Sequence, residues 1–114
     1  MTDETLFEAR TTLDRDVLTV AAAGEVDMST APRLLEILDA VSDAARLIVV
    51  DLTEVGFLDS SGLNTLVKGQ RRLASRGIAL RVVVPSDHPV RRVFAIARLE
   101  DQLQIVETAE DART

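Results

Sequence analysis

Residues Leu6–Leu13, LFEARTTL, alternate, and Phe7, Ala9, Thr11 and Leu13 fall on one face, which is the period of a half-buried strand. LDRDVL reads as a tight connection. VLTVAAA (17–23) predicts a second strand, apolar on both faces, that stops at Gly24, and GEVDMST reads as a polar loop. The period then becomes helical, with Leu34, Leu35, Leu38 and Val41 forming an apolar stripe. Thr30 or Ser29 can cap that helix, and Pro32 fits its first turn because the missing N–H had no partner there. LIVVDL (47–52) is a continuous, largely β-branched run, the pattern of a parallel central strand covered on both faces. TEVGF reads as a loop into DSSG. The next helix carries Leu63, Leu66, Val67, Leu73 and Ala74 on one side, turns Lys68, Arg71 and Arg72 to solvent, and ends at Gly77.

IALRVVV (78–84) predicts a strand with Ile78, Leu80, Val82 and Val84 on one face, and Arg81 suggests that the other face is partly open. Pro85 stops it. A short helix follows with Val90, Val93, Phe94 and Ala97 in register, then a short strand, LQIV (103–106), and a polar tail over 107–114. The order β-β-α-β-α-β-α-β predicts a single α/β domain, with core about 6–106. The first two strands are expected to pair antiparallel, making an open mixed sheet packed with helices.

Composition narrows the function. At 114 residues, 46% hydrophobic and 28% charged, the chain can bury a core without staples, and it has no cysteine for disulfides or thiolate metal sites. The N-terminus is polar and acidic, and no run approaches the roughly 18 apolar residues of a membrane span. A cytoplasmic protein with no membrane association is expected. The net charge of −6 argues against direct nucleic-acid binding, which needs a cationic surface. The charge is uneven: residues 1–59 balance at −9, 60–99 at +7, and 100–114 at −4. The basic residues either pair with acids elsewhere in the chain or define a partner-facing side.

The chemistry concentrates in VGFLDSSGLNTL (55–66). Asp59 or Ser60 can simply cap the following helix. A serine there could be a nucleophile, or it could accept a phosphoryl group at a helix N-terminus that favours anions. Gly62 costs helix propensity, and a residue without Cβ would let something approach the backbone. An enzyme is disfavoured by inventory. The single histidine, His88, sits in a Pro-flanked turn, and neither serine has the glycine two residues before it that a nucleophile elbow needs. Metal-ligand spacings, phosphate-binding glycine motifs and stacking aromatics are missing from the sequence, so no metal and no cofactor is expected.

VVDLTEVGFLDSSGLNTLV resembles the signature of STAS domains, specifically the small bacterial anti-sigma factor antagonists. GEVD (24–27) resembles the family's acidic loop, and HPVRRVFAIARLEDQLQIV its closing helix and strand, so the likeness runs from about Phe7 to Val106. The resemblance implies partner switching. The unphosphorylated antagonist binds an anti-sigma factor, usually a GHKL-type serine kinase, and a sigma factor is released. Phosphorylation ends the interaction, and a PP2C-type serine phosphatase restores it. The acceptor maps to Ser60, with Ser61 the runner-up. Glu25, Asp27, Asp59, Ser61, Gly62, Leu63 and Asn64 map to the partner-binding surface, and Asn64 departs from the glycine many members carry. A STAS scaffold subunit of a transporter or stress-sensing complex, without a phosphoswitch, is the alternative reading.

Overall fold

The computed structural model describes residues 6–99 and 102–114. Glu100 and Asp101, within the stretch expected to close the fold, lie outside the described residues. The elements run β1 (Phe7–Asp14), β2 (Val17–Val26), α1 (Ala31–Asp39), β3 (Leu47–Leu58), α2 (Ser60–Ala74), β4 (Ala79–Val83), α3 (Arg91–Ala97), β5 (Ile105–Val106) and α4 (Ala109–Arg113). The five strands lie in the order β1-β2-β3-β4-β5. β1 pairs antiparallel with β2, and every later pairing is parallel. The mixed α/β sheet expected from the hydrophobic pattern is therefore present.

This strand order decides where the core lies. Right-handed crossovers that advance in one direction across a sheet place their helices on one face. Leu34 and Leu38 of α1, Leu63, Leu66 and Leu73 of α2, and Phe94 of α3 accordingly pack with Val20, Val26, Ile48, Val50, Leu52, Leu80 and Val82 in one cluster. LIVVDL has the composition of a strand covered on both faces because it is one: Val49 and Leu47 point the other way, into a second, smaller cluster with Val17, Val83 and Ala112.

Ala112 marks a difference from the sequence reading. The segment expected to be a polar tail carries a short helix, α4, capped by the Thr108 hydroxyl, which accepts from the Asp111 N–H at 3.0 Å. The Arg113 guanidinium pairs with Asp14 at 2.8 Å. Arg81, expected on a partly open face, donates to the Ala112 carbonyl at 2.7 Å beneath this helix. A five-residue helix with one buried alanine shows almost no amphipathic period, so only the tertiary contact reveals it.

Other boundaries moved as well. Leu13, on the edge strand β1, is exposed. Ala74 and Ala97, expected on apolar faces, are exposed. Gly77 ends the α2 segment as expected, at φ +77°, with the Ile78 N–H returning to the Leu73 carbonyl at 2.9 Å. The uneven charge is partly neutralised between halves, since Arg72 pairs with Asp39 at 2.6 Å and Arg76 with Asp43 at 2.7 Å. The first joins α2 to the end of α1 and the second joins the segments that follow these two helices, both at the surface, where each contributes at most about 1 kcal/mol.

The role of α4 is testable by urea denaturation. Ala112→Asp places a carboxylate among Val17, Leu47, Val49 and Val83 and should cost about 2 kcal/mol or more. A midpoint equal to wild type would show that α4 does not seal that face.

Candidate functional site

The DSSG segment sits where two parallel strands end side by side. Glu25 pairs with Phe57 and Val26 with Leu58, and the Asp59 N–H then donates to the Val26 carbonyl at 3.3 Å. Both strands are longer than the pattern predicted. β3 continues through TEVGF to Leu58, and its register against β2 slips twice, between Ala21 and Ala23 and between Gly24 and Glu25, each time with one extra residue on β3. These bulges blur the alternation that would have marked the strand. Gly24 does not stop β2. It lets β2 pass at φ +98°, where a Cβ would lie 2.2 Å from the Leu6 carbonyl oxygen, and the following Glu25 N–H donates to that same oxygen. Glu25 therefore lies on a strand, exposed, and not in a loop.

Asp59 is the N-cap of α2. Its backbone is extended (φ −114°, ψ −168°), and its carboxylate accepts from the Ser61 N–H at 2.9 Å and the Gly62 N–H at 3.3 Å. The Leu63 N–H closes the first turn onto the Asp59 carbonyl at 3.1 Å. The cap is thus Asp59, which frees the serines. Ser60 is the first helical residue and is exposed, and Ser61 is half-buried. Neither hydroxyl has a hydrogen-bond partner among the described residues. A 15-residue helix also directs positive partial charge towards this end.

Gly62 and Leu63 have a different part from the one expected. Both are buried. A Cβ on Gly62 would lie 2.7 Å from Leu58 Cδ1 and 2.9 Å from Val26 Cγ1. The glycine admits the ends of β2 and β3 against the helix, not an outside molecule. The turn presents Ser60 and, further along α2, Asn64 at its surface, while Gly62 and Leu63 fix it from beneath.

The second acidic residue is equally committed. Asp27 Oδ1 accepts from the Ser29 N–H at 3.0 Å, the Ser29 hydroxyl at 2.9 Å and the Thr30 N–H at 3.1 Å. The Thr30 hydroxyl accepts from the Asp27 N–H at 2.9 Å and donates to the Glu25 carbonyl at 2.7 Å. Neither Thr30 nor Ser29 caps α1 with its own side chain. Thr30 stands at the cap position and turns its hydroxyl back to β2, while Asp27 holds the turn. The Ser29 hydroxyl, with backbone N–H groups of Ser29 and Thr30 assisting, holds the Asp27 carboxyl below its ordinary range against a smaller opposing effect of burial.

Met28, at the apex of this turn, is 77% exposed. It was no candidate from sequence, although an apolar residue within the polar stretch GEVDMST was visible there. His88 is half-buried, and both ring nitrogens have partners. Nδ1 accepts from the Val90 N–H at 3.1 Å, and Nε2 lies 3.0 Å from the Thr53 carbonyl oxygen, so the ring staples the loop after β4 to β3. Beside it is an open cleft of about 570 Å³, lined by Ser86, His88, Arg91 and Arg92 among others, at the end of β4 and apart from the Ser60 turn.

A family model described as Mlab, STAS domain, matches residues 9–107. The anti-sigma-B factor antagonist of Listeria monocytogenes is 34% identical over 93 residues, 81% of each chain. The crystal structure of an anti-sigma factor antagonist from Mycobacterium paratuberculosis superposes with a TM-score of 0.84 at 28% identity, covering 99% of this chain and 96% of that one. The anti-sigma factor antagonist SpoIIAA, in its unphosphorylated form, has the same fold, with a TM-score of 0.74 at 24% identity over 94% of this chain and 92% of its own.

Three stability measurements check the local account. Asp59→Ala removes the cap and should cost about 1 kcal/mol. Gly62→Ala gains about 1 kcal/mol of helix propensity, but overpacking at two core side chains typically costs about 1–3 kcal/mol. A net loss is expected, and a stabilised variant would refute the packing account. Asp27 has a lowered carboxyl pKa in the folded state, so its contribution is fully present at neutral pH and is lost as pH falls through that lowered value. Asp27→Asn should therefore flatten the acid end of the stability profile; an unchanged profile would mean the carboxylate is not what holds the turn.

Proposed function

The chain belongs to the STAS domain family, and from that premise we propose that it is an anti-sigma factor antagonist switched by phosphorylation at Ser60. Unmodified, it binds an anti-sigma factor that is also a GHKL-type serine kinase, and a sigma factor is freed in the cytoplasm. The observation that carries the reading is the Ser60 hydroxyl: exposed, without an internal hydrogen bond among the described residues, and held at a fixed place by a neighbouring cap.

In the transfer step, Ser60 Oγ attacks the γ-phosphorus of ATP bound to the kinase. The new Oγ–P bond replaces the bond to the β-phosphate bridging oxygen, ADP leaves, and the hydroxyl proton goes to a base of the kinase. The product carries about −1.5 to −2 charges at neutral pH. A helix N-terminus tolerates an anion, so α2 need not melt. The change falls on the partner, whose contact surface meets a strongly hydrated dianion beside Asp59, and repulsion and desolvation weaken the complex. A PP2C-type phosphatase returns the serine. Ser61, half-buried one position further on, is the less accessible acceptor.

Purified anti-sigma factors of the host, incubated with ATP and this protein, test the reading. Mass spectrometry should place the phosphate on Ser60, with Ser60→Ala unmodified and Ser61→Ala modified normally. Ser60→Glu should bind the anti-sigma factor at least about 30-fold more weakly, about 2 kcal/mol, with an unchanged circular dichroism spectrum. Wild-type affinity in Ser60→Glu would dispose of the switch.

A further inference from the structure

We propose that Met28 is an anchor residue that inserts into the anti-sigma factor, and that Asp27 acts through it, by holding the turn from which it projects. The proposal rests on the reading of Ser60 given above. Four residues, Asp27–Thr30, join β2 to α1. The side chains of Asp27, Ser29 and Thr30 are all engaged in hydrogen bonds that fix this turn and the end of β2. Met28 is the fourth, and it stands 77% exposed. A flexible thioether side chain suits an imperfectly matched apolar pocket, and a backbone fixed in advance lowers the ordering cost of binding.

Its position selects its role. The Asp59 N–H to Val26 carbonyl bond ties the two strand ends together; Met28 lies two residues beyond Val26, and Ser60 one beyond Asp59. The first turns of α1 and α2 therefore open at the same end of the sheet. Among the described residues, Leu13 lies at the far end of β1 and Ile96 on α3, while Leu6 comes to this same end of the sheet beside Glu25 but is only 37% exposed, against 77% for Met28. Phe57 projects from the face away from α2, since its neighbour Leu58 packs under Gly62 and side chains alternate along a strand. Glu25, Asp27 and Asp59 surround the same strand ends. The complementary surface is an apolar pocket edged by lysine or arginine, with the acids favouring encounter and orientation.

The test is a binding titration with the purified anti-sigma factor that retains the wild-type protein in the Ser60 comparison. Met28→Ala should weaken binding at least about tenfold, while Ile96→Ala leaves it unchanged. Asp27→Ala should lose a similar factor, and the Asp27→Ala, Met28→Ala double variant should be within about twofold of Met28→Ala alone, because one residue acts through the other. Asp27→Asn, whose amide oxygen still accepts, should recover most of the affinity. If Asp27→Ala does not fold, Met28→Ala and Asp27→Asn still decide. Wild-type affinity in Met28→Ala, with Ser60→Glu still defective, would overturn the anchor and leave the Ser60 reading intact. Multiplying losses in the double variant would mean that Asp27 touches the partner directly and overturn its positioning role. A wild-type dimer in sedimentation that Met28→Ala dissociates would assign the residue to self-association instead. If no anti-sigma factor retains the wild type, the Ser60 reading fails and this inference with it.

Discussion

The close approach of the first turn of α2 to the ends of β2 and β3 is the constraint from which the rest of this end of the molecule follows. It is unstrained only at a residue without a Cβ, because a Cβ on Gly62 would press on the side chains of Leu58 and Val26 and force them to shift. The approach buries Gly62 and Leu63 and sets Asp59 where its carboxylate can cap the helix and its N–H can reach β2. Ser60 is then the first position that faces outward. Its exposure is a consequence of what its neighbours are committed to, and so is the freedom of its hydroxyl.

The two acids near Ser60 share a form of action. Each carboxylate is turned inward to backbone N–H groups, Asp59 onto α2 and Asp27 onto the turn before α1. A carboxylate already holding two or more donors has less to offer an outside cation. Their effect is therefore first geometric, in fixing what stands next to them: a serine in one case, a methionine in the other. Glu25, exposed on β2, has no such internal role among the described residues, and it is the acid best placed to contribute charge alone.

The sheet is covered unequally, and this too follows from topology. Strand order advances in one direction, so all the crossover helices fall on one face. The second face is left to α4, whose single buried alanine, one ion pair and the Arg81 bond cover the ends of β2, β3 and β4. Glu25 and Phe57 lie at the opposite end of those strands from Val17 and Leu47, beyond the cluster around Ala112.

The chain's own pattern determined the element order through β5, the antiparallel start and parallel centre of the sheet, the face each long helix buries, and a cap at Asp59 or Ser60. These are local properties: periodicity and capping depend on residues within a turn or a strand of one another. The DSSG stretch was equally legible, since a cap, two hydroxyls and a glycine stand in sequence. Tertiary structure decided what depends on distant partners. Gly24 looked like a stop and proved to be a strand residue at positive φ, because the carbonyl it clears belongs to Leu6. TEVGF looked like a loop and is strand, because its extra residues are accommodated against β2. Gly62 looked open to an outside molecule and is filled by Val26 and Leu58, which come from two other elements. The last residues looked like a tail and form a helix, because Ala112 finds Val17, Leu47 and Val83. In each case the deciding atom lies far along the chain or across the sheet, and no pattern confined to neighbouring residues can contain it.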